Sequence, residues 1–322
     1  MEMIFNIAIF PGVLYVLLWT VVLFWFFRKF MAALHKRVGP NFNGPAGSYQ
    51  TLFDLSKLLT KESITPDGVN PYLFSIMPIL AATIAILPTA VIPWTEYVRV
   101  VESDYSLLAL VVLIGIEPFL LFLTGFGSNN KYSFLGGIRV LTQMISMETS
   151  FLLSALSPAL LFGTLSLSSI VEQSSWLSFL ILLPGFALYF IALLGLLDQP
   201  PFNIPDAEQE IVYGFYTEYS GTNYFLLKLA EFAEFMAVFA GAATLFLGGF
   251  KGILFDGFSF LFAKMLLIAI FMMVIRASTP RITMKQMLHF SWTYLVPLSL
   301  LNVAWIMFAK IYLLGSILSI SP

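Results

Sequence analysis

Long apolar runs separated by short polar segments set the pattern of this chain. A membrane-spanning helix needs about 20 consecutive, mostly apolar residues. Stretches of that length occur at 5–27, 72–94, 105–125, 138–162, 177–197, 223–249, 258–276 and 293–315. The first run is too long for a signal peptide and is followed by "FRKFMAALHKR" instead of a small-residue cleavage site, so it is read as a retained helix. One polar segment has a period of its own. Two Gly-Pro turns in "HKRVGPNFNGPAGS" disfavour helix. After them, "YQTLFDLSKLLTK" places Tyr49, Leu52, Phe53, Leu55, Ser56 and Leu59 at helical spacing, with Asp54, Lys57 and Lys61 on the other side. This predicts a short amphipathic helix, either lying in the membrane interface or packed as a connector on its own bundle. The expected fold is an all-α integral membrane protein with about eight transmembrane helices plus a cytoplasmic interfacial amphipathic helix. Residues 1–322 are expected to form a single polytopic domain.

Composition narrows the function classes. The 322 residues are 59% hydrophobic and 11% charged, with mean hydropathy +0.90. A soluble domain carries roughly a quarter charged residues, so this chain lacks the polar surface to face water all round. A net charge of −2 leaves no nucleic-acid footprint. With no cysteine and two histidines, His35 and His289, thiol chemistry and iron–sulfur ligation by this chain are excluded. No metal or cofactor site is expected within it, and any redox centre belongs to a partner.

Charge placement gives orientation. Arg28, Lys29, Lys36, Arg37, Lys57, Lys61, Lys131, Arg139, Arg276, Arg281 and Lys285 fall in loops on one side, whereas Arg99 and Lys251 fall on the other. The positive-inside rule then puts both termini outside a cell membrane, with loops 28–71, 126–137, 198–222 and 277–292 in the cytoplasm. Lys264 and Lys310 lie near the outer ends of their helices, where the simplest reading is a side chain reaching for headgroups.

The acids do not follow the bases. "PPFNIPDAEQEIVYGFYTEYSG", 200–221, holds Asp206, Glu208, Glu210 and Glu218 with no base, and no Lys or Arg occurs from Val140 to Leu227. Glu117 precedes Pro118 inside the third span, Glu148 lies in the fourth, Asp198 closes the fifth, and Glu231 and Glu234 share a face of the sixth. A carboxylate in hydrocarbon costs about 2.5–3.5 kcal/mol on insertion scales. Only Arg139 and Lys228 are near enough in sequence to pair with this group. Acids without cationic partners lower that cost by binding protons, and close carboxylates titrate as a set. The pattern suggests a proton or charge-transfer path. For any single acid the plainer reading is a hydrogen bond to a neighbouring helix.

Four segments carry a family resemblance. "RVGPNFNGPAGSYQTLFDLSKLLTKE" (37–62), "SNNKYSFLGGIRVLTQMISMETSFLL" (128–153), the acidic segment 200–221 and "IRASTPRITMKQMLHFSWTYLVPLSL" (275–300) occur in family order. They resemble the H subunit family of respiratory complex I and its counterparts in membrane-bound hydrogenase and archaeal sulfane reductase complexes. The resemblance implies a non-catalytic eight-helix subunit at the joint between the membrane arm and the hydrophilic arm of an ion-translocating oxidoreductase. It implies no cofactor in this chain, with iron–sulfur clusters, and in some relatives a nickel–iron centre, held by partner subunits. The implied partners are hydrophilic iron–sulfur redox subunits and other membrane subunits, including antiporter-like ones.

Carried over by motif, Glu117, Glu148, Asp206, Glu208, Glu210, Glu218 and Glu231 would form a proton or charge relay. Arg37, Gln50, Asp54, Lys57, Arg276 and Arg281 would dock or couple the redox arm. Quinone-reducing members read Glu-Thr-Asn-Arg-Ala-Pro-Phe-Asp where this chain has "LLDQPPFN", so Leu196 replaces the Glu, Gln199 the Arg and Asn203 the Asp. That change argues against quinone as ligand and favours ferredoxin-linked relatives that reduce protons or a sulfur compound. The rival readings are a passive membrane anchor, a quinone-binding subunit, and a secondary transporter, which would show the inverted repeats that are not visible here.

Overall fold

The computed structural model describes residues 13–96, 98–205, 210, 212–252 and 256–314. The main helices are α1 (Val13–Leu34), α2 (Tyr49–Thr60), α3 (Pro71–Ile86), α4 (Ser106–Gly127), α5 (Lys131–Ala155), α6 (Trp176–Leu196), α7 (Gly221–Phe246), α8 (Phe258–Ser278) and α9 (Val296–Ala309). Among the described residues there is no strand. Eight helical stretches are long and apolar enough to cross a membrane: Leu14–Leu34, Pro71–Val91, Ser106–Gly127, Lys131–Phe162, Trp176–Leu196, Gly221–Phe246, Phe258–Ser278 and Met284–Tyr312. All eight expected spans are present. The beginning of the first and the last residue of the eighth lie outside the described residues. Arg28 and Lys29, read as loop residues, belong to the end of α1, because its apolar run continues to Leu34.

Side-chain caps set the helix starts. Asn70 Oδ1 accepts from the backbone N–H groups of Tyr72 and Leu73, and Asn130 Oδ1 from that of Tyr132. Ser175 with Ser178, and Thr283 with Gln286, form reciprocal capping boxes. Each satisfies N–H groups that a first turn leaves without partners.

Helix α7 is the axis of the bundle. Its membrane-length stretch is 94% buried, against 33% for α1 and for α8. Ala230, Ala233, Ala237, Ala240, Gly241, Ala242 and Ala243 are buried along it. Small residues let helix backbones approach closely where lipid supplies no hydrophobic drive, and α7 packs against α3, α8, α1, α2 and α6.

Helix α2 turns its apolar stripe away from the bundle. Tyr49, Leu52, Phe53 and Leu59 are exposed, whereas Thr51 is buried and Asp54, Leu55 and Leu58 are half-buried against α1 and α7. Its polar side is pinned inward by Arg28, which reaches Asp54 Oδ2 at 2.5 Å. That leaves the outward stripe suited to a membrane interface. In the preceding turn Gly47 has φ +75°, and a Cβ there would lie 2.3 Å from the Pro40 carbonyl oxygen.

The opposite end of the bundle corrects the reading of Lys264 and Lys310. Lys264 Nζ donates to the carbonyls of Leu247, Gly249 and Lys251 at 2.6, 2.8 and 2.6 Å. Lys310 Nζ donates to the Leu160 carbonyl at 2.8 Å, and Lys251 to that of Glu172. The last carbonyls of a helix have no partner within it, and a cation there also complements the helix dipole. These ammonium groups turn inward to satisfy carbonyls instead of extending to headgroups. Lys264→Met, which keeps the stem and removes the donor, should destabilise the purified protein by about 2 kcal/mol, the size of hydrogen bonds to a charged group. Thermal unfolding in detergent measures this, and an unchanged midpoint would refute the capping role.

Candidate functional site

The segment after α6 does not form a solvated hairpin; it folds back into the end of the bundle. Phe202, Ile204, Phe215, Tyr216 and Tyr219 are buried. Gly136 admits it, since a Cβ there would lie 2.6 Å from Phe215 N, while Gly125 lets α4 approach α5, where a Cβ would lie 2.5 Å from the Ser133 carbonyl oxygen. Tyr219 stacks on Phe74 with ring centroids 4.2 Å apart and donates to the Thr124 carbonyl at 3.1 Å.

The loop acids acquire partners from distant parts of the chain. Glu210 lies 2.7 Å from Arg139 on α5 and 3.4 Å from Arg281 of the last basic loop. These guanidinium groups, the Arg139 hydrogen bond first, hold its carboxyl below the usual carboxylate range. Glu218 accepts from Asn130 Nδ2, the same residue that caps α5. Asp206 and Glu208 lie outside the described residues. The expectation of a loop without basic partners is therefore corrected for Glu210, because its cations come from outside the loop.

Deeper in the bundle three more acids converge. Glu117, midway along α4, and Glu234, midway along α7, are 1% and 6% exposed. Glu231, one turn before Glu234, is paired with Lys228 at 2.7 Å and lies 3.4 Å from the Tyr216 hydroxyl. Lys228 also sits over the Tyr216 ring, 4.2 Å from its centroid. A cavity of about 20 Å³ is lined by Glu117, Asp198, Tyr216, Glu231 and Glu234, among others. A second, of about 10 Å³, is lined by Gln143, Leu196, Asp198 and Glu234, among others. Both carboxyl oxygens of Glu117, Oε1 of Glu234 and Oε1 of Gln143 are buried without a hydrogen-bond partner. Cavities near 10–15 Å³ with several polar partners suit single waters.

Glu148 stands apart from that cluster. It is half-buried on α5, with its carboxyl against α4, where a Cβ added to Gly115 would lie 2.1 Å from Oε1. Gly115 makes room for this carboxyl at mid-span.

The basic residues frame larger spaces. A cavity of about 690 Å³ is lined by Arg28, His35, Arg37, Lys228, Glu231 and Arg276, with Phe24 and Phe232 among its apolar walls. A neighbouring cavity of about 710 Å³ runs between α1, α2 and α7 and includes Asp54, Lys57 and Lys61. Phe24, Arg28, Lys228 and Phe232 line both. Gln50 donates to Asp54 at 2.9 Å, which orients the acid held by Arg28. Arg276 donates to Gln199 Oε1 at 2.6 Å.

The structure thus brings Glu117 and Glu231 together, and sets Arg37, Lys57, Arg276 and Asp54 around the larger cavities, with Gln50 behind Asp54. Glu210 and Arg281 meet at the bundle end, while Glu148 lies to one side and Glu218 is held by Asn130. The motif-based relay omitted Glu234 and Asp198, although the spacing of Glu234 after Glu231 was a signal. Nothing in the sequence pattern marks Gln143 as a site residue, and Arg28 is marked there only as a loop cation.

Such an arrangement defines a class: a multi-pass membrane protein with carboxylates buried at mid-span, connected to a basic-lined cavity at one end. Residues 7–307 match the family model described as NADH dehydrogenase. The chain is 37% identical over 290 residues to the NADH-quinone oxidoreductase H subunit of Dehalococcoides mccartyi strain CBDB1, covering 90% of this chain and 82% of that one. It is 37% identical to the H subunit of Carboxydothermus hydrogenoformans over 288 residues, 87% of this chain and 82% of that one. The H subunit of Geobacillus thermodenitrificans is 36% identical over 309 residues, 92% and 93% of the two chains. The chain belongs to the H subunit family of NADH-quinone oxidoreductases.

Gly115→Ala should destabilise the protein by about 1–3 kcal/mol through overpacking, and adding Glu148→Ala should recover most of it. Thermal unfolding of the two single variants and the double tests this; strict additivity would show that the two residues do not collide. The Glu210 contacts carry a pH dependence. Its folded-state carboxyl titrates below the unfolded one, so the anchoring is full above the ordinary carboxylate range and is lost as pH falls through the lowered value. Hydrogen exchange of residues 212–220 should rise on that acidification, and Glu210→Gln should abolish the pH-dependent step.

Proposed function

We propose that this chain is the membrane subunit that couples electron transfer in attached redox subunits to H⁺ or Na⁺ movement through the membrane arm. One observation carries the reading. Glu231 lines both the large basic cavity and the small cavity that holds Glu117 and Glu234, so the bundle end and the membrane midplane share a single acidic boundary. Redox-driven change in charge or shape at the cavity and the loop 198–222 alters the Lys228–Glu231 pair, and Glu231 passes that change to Glu117 and Glu234. Glu148, a mid-span carboxyl facing the side of the bundle, then marks where an adjacent membrane subunit covers this one, since an acid facing lipid is costly. In this reading the loops rich in Lys and Arg face the cytoplasm, Arg37, Lys57 and Arg281 dock iron–sulfur subunits fed by NADH or ferredoxin, and antiporter-like subunits complete the membrane arm. The chain itself supplies no redox chemistry.

A second reading has specific support. The two adjoining cavities, one mainly apolar and one with a cationic rim, together suit a long amphipathic molecule such as a quinone, its head near Lys228 and Arg276 and its tail between α1, α2 and α7. The relatives' names carry the same substrate. Against it, Gln199 is buried and turned to Arg276 and the Leu197 carbonyl, so this position supports the arginine instead of lining the cavity. Redox activity of the purified complex with added short-chain quinone separates the readings, as do the co-purifying subunits.

In the assembled complex, Glu117→Gln and Glu234→Gln should each leave electron transfer between the redox subunits intact and abolish ion translocation. Measured together in proteoliposomes, unchanged ions moved per electron in both variants would refute coupling through this cluster. Loss of assembly alone would favour a passive anchor.

A further inference from the structure

Asp198 has no place in the relay implied by family resemblance, yet with Glu234 it is one of two acids that line both water-sized cavities in the bundle. It follows the C-terminus of α6 in a left-handed conformation, φ +50°. Gly and Asn favour such a position after a helix, and Asn would adopt it without a charge. A carboxylate beside a helix C-terminus also meets the negative end of the dipole. Neither the turn nor the helix end accounts for an acid at this place.

The surroundings do account for it. Gln143 Nε2, from buried α5, donates to Asp198 Oδ1 at 2.6 Å and to the Gly195 carbonyl at 2.5 Å. The second contact ties the amide to the end of α6, so the donor that faces Asp198 is fixed in direction. Asp198 lines the cavity that holds Glu117, Glu231 and Glu234, and also the one that holds Gln143 and Glu234. The carboxyl and amide oxygens aimed into these spaces, on Glu117, Glu234 and Gln143, are buried with no protein partner. Buried polar atoms of this kind take ordered water where a cavity is polar and large enough.

We propose that Asp198 is a proton-exchanging group, linked through single bound waters to Glu234 and Glu117 and oriented by Gln143, and that it joins the bundle end to the midplane acids. This rests on the coupling function proposed above. In the step, a proton leaves a carboxyl group of Glu234 or Glu117 for the bridging water, which releases another to the Asp198 carboxylate. Only O–H bonds break and form, the water is regenerated, and no oxidant or reductant takes part. Leu196 lines the same two cavities, so a carboxyl at 196 would reach the same waters from two residues away.

The test uses the intact complex in proteoliposomes, with electron transfer and ion movement followed together for Asp198→Asn, Glu117→Gln, Glu234→Gln and the double variant Leu196→Glu/Asp198→Asn. Asp198→Asn keeps the left-handed turn and one oxygen acceptor, so it should retain electron transfer and lose ion movement, and the double variant should regain it. A carboxyl C=O infrared band that changes on turnover should disappear in Asp198→Asn. Parental ion movement per electron in Asp198→Asn would overturn the proposal. So would an uncoupled Asp198→Asn whose infrared difference spectrum keeps every carboxyl band, which would assign Asp198 a packing role. If Leu196→Glu prevents assembly, Asp198→Asn and its infrared spectrum decide alone. Unchanged coupling in both Glu117→Gln and Glu234→Gln would instead refute the underlying coupling function, whereas coupling lost in either of them but kept in Asp198→Asn would refute only the role of Asp198.

Discussion

Taking a carboxyl group out of water inside a helical bundle is the constraint around which this molecule is organised. A buried charge or polar group must find a cation, a hydrogen bond or water, since hydrocarbon offers none of them. The structure meets that demand differently at each acid. Glu210 is held by two guanidinium groups, Glu231 by an ammonium group, Glu218 by an amide and Asp198 by Gln143. Glu117 and Glu234, deepest in the bundle, instead face small polar spaces with oxygens that no protein group meets. Polar coordination is thus dense at the basic end and sparse at the midplane.

The same economy of polar groups shapes the rest of the bundle. Helix α7 achieves near-complete burial with small residues, which brings its two glutamates to the centre. Glycines at 115 and 136 open space for a carboxyl group and for loop backbone where a side chain would collide, and Gly125 lets α4 and α5 approach. At the far end, lysines close helix C-termini by donating to carbonyls that would otherwise lack partners.

The family relation and the geometry support each other on function without being the same argument. Membership in the H subunit family places the chain in a multisubunit membrane oxidoreductase. The geometry adds a continuous acidic boundary, from a basic-rimmed cavity through Glu231 to the midplane, and this continuity favours coupling over passive anchoring. Two of the three departures that the resemblance implies, Leu196 and Gln199, have a physical setting here: Gln199 supports Arg276, and Leu196 lines a cavity together with Asp198.

The sequence by itself determined the membrane architecture. Apolar length fixed the eight spans, since a bilayer demands a hydrophobic stretch of one size. Periodicity gave helix α2, and the Lys and Arg distribution sorted loops into a basic and a poor end. It also marked most of the acids, because an ionisable residue in an apolar run is conspicuous in one dimension. Tertiary structure alone decided which acids meet and what neutralises them. Glu210 finds Arg139 and Arg281 only because the loop folds back, and Lys264 and Lys310, at the other end of the bundle, choose carbonyls only because another helix ends beside them. Asp198, in a left-handed turn after α6, lines two cavities whose walls come from α4, α5, α6 and α7. Pairing and hydration depend on distances of a few ångströms between residues far apart in sequence, and linear spacing does not encode these.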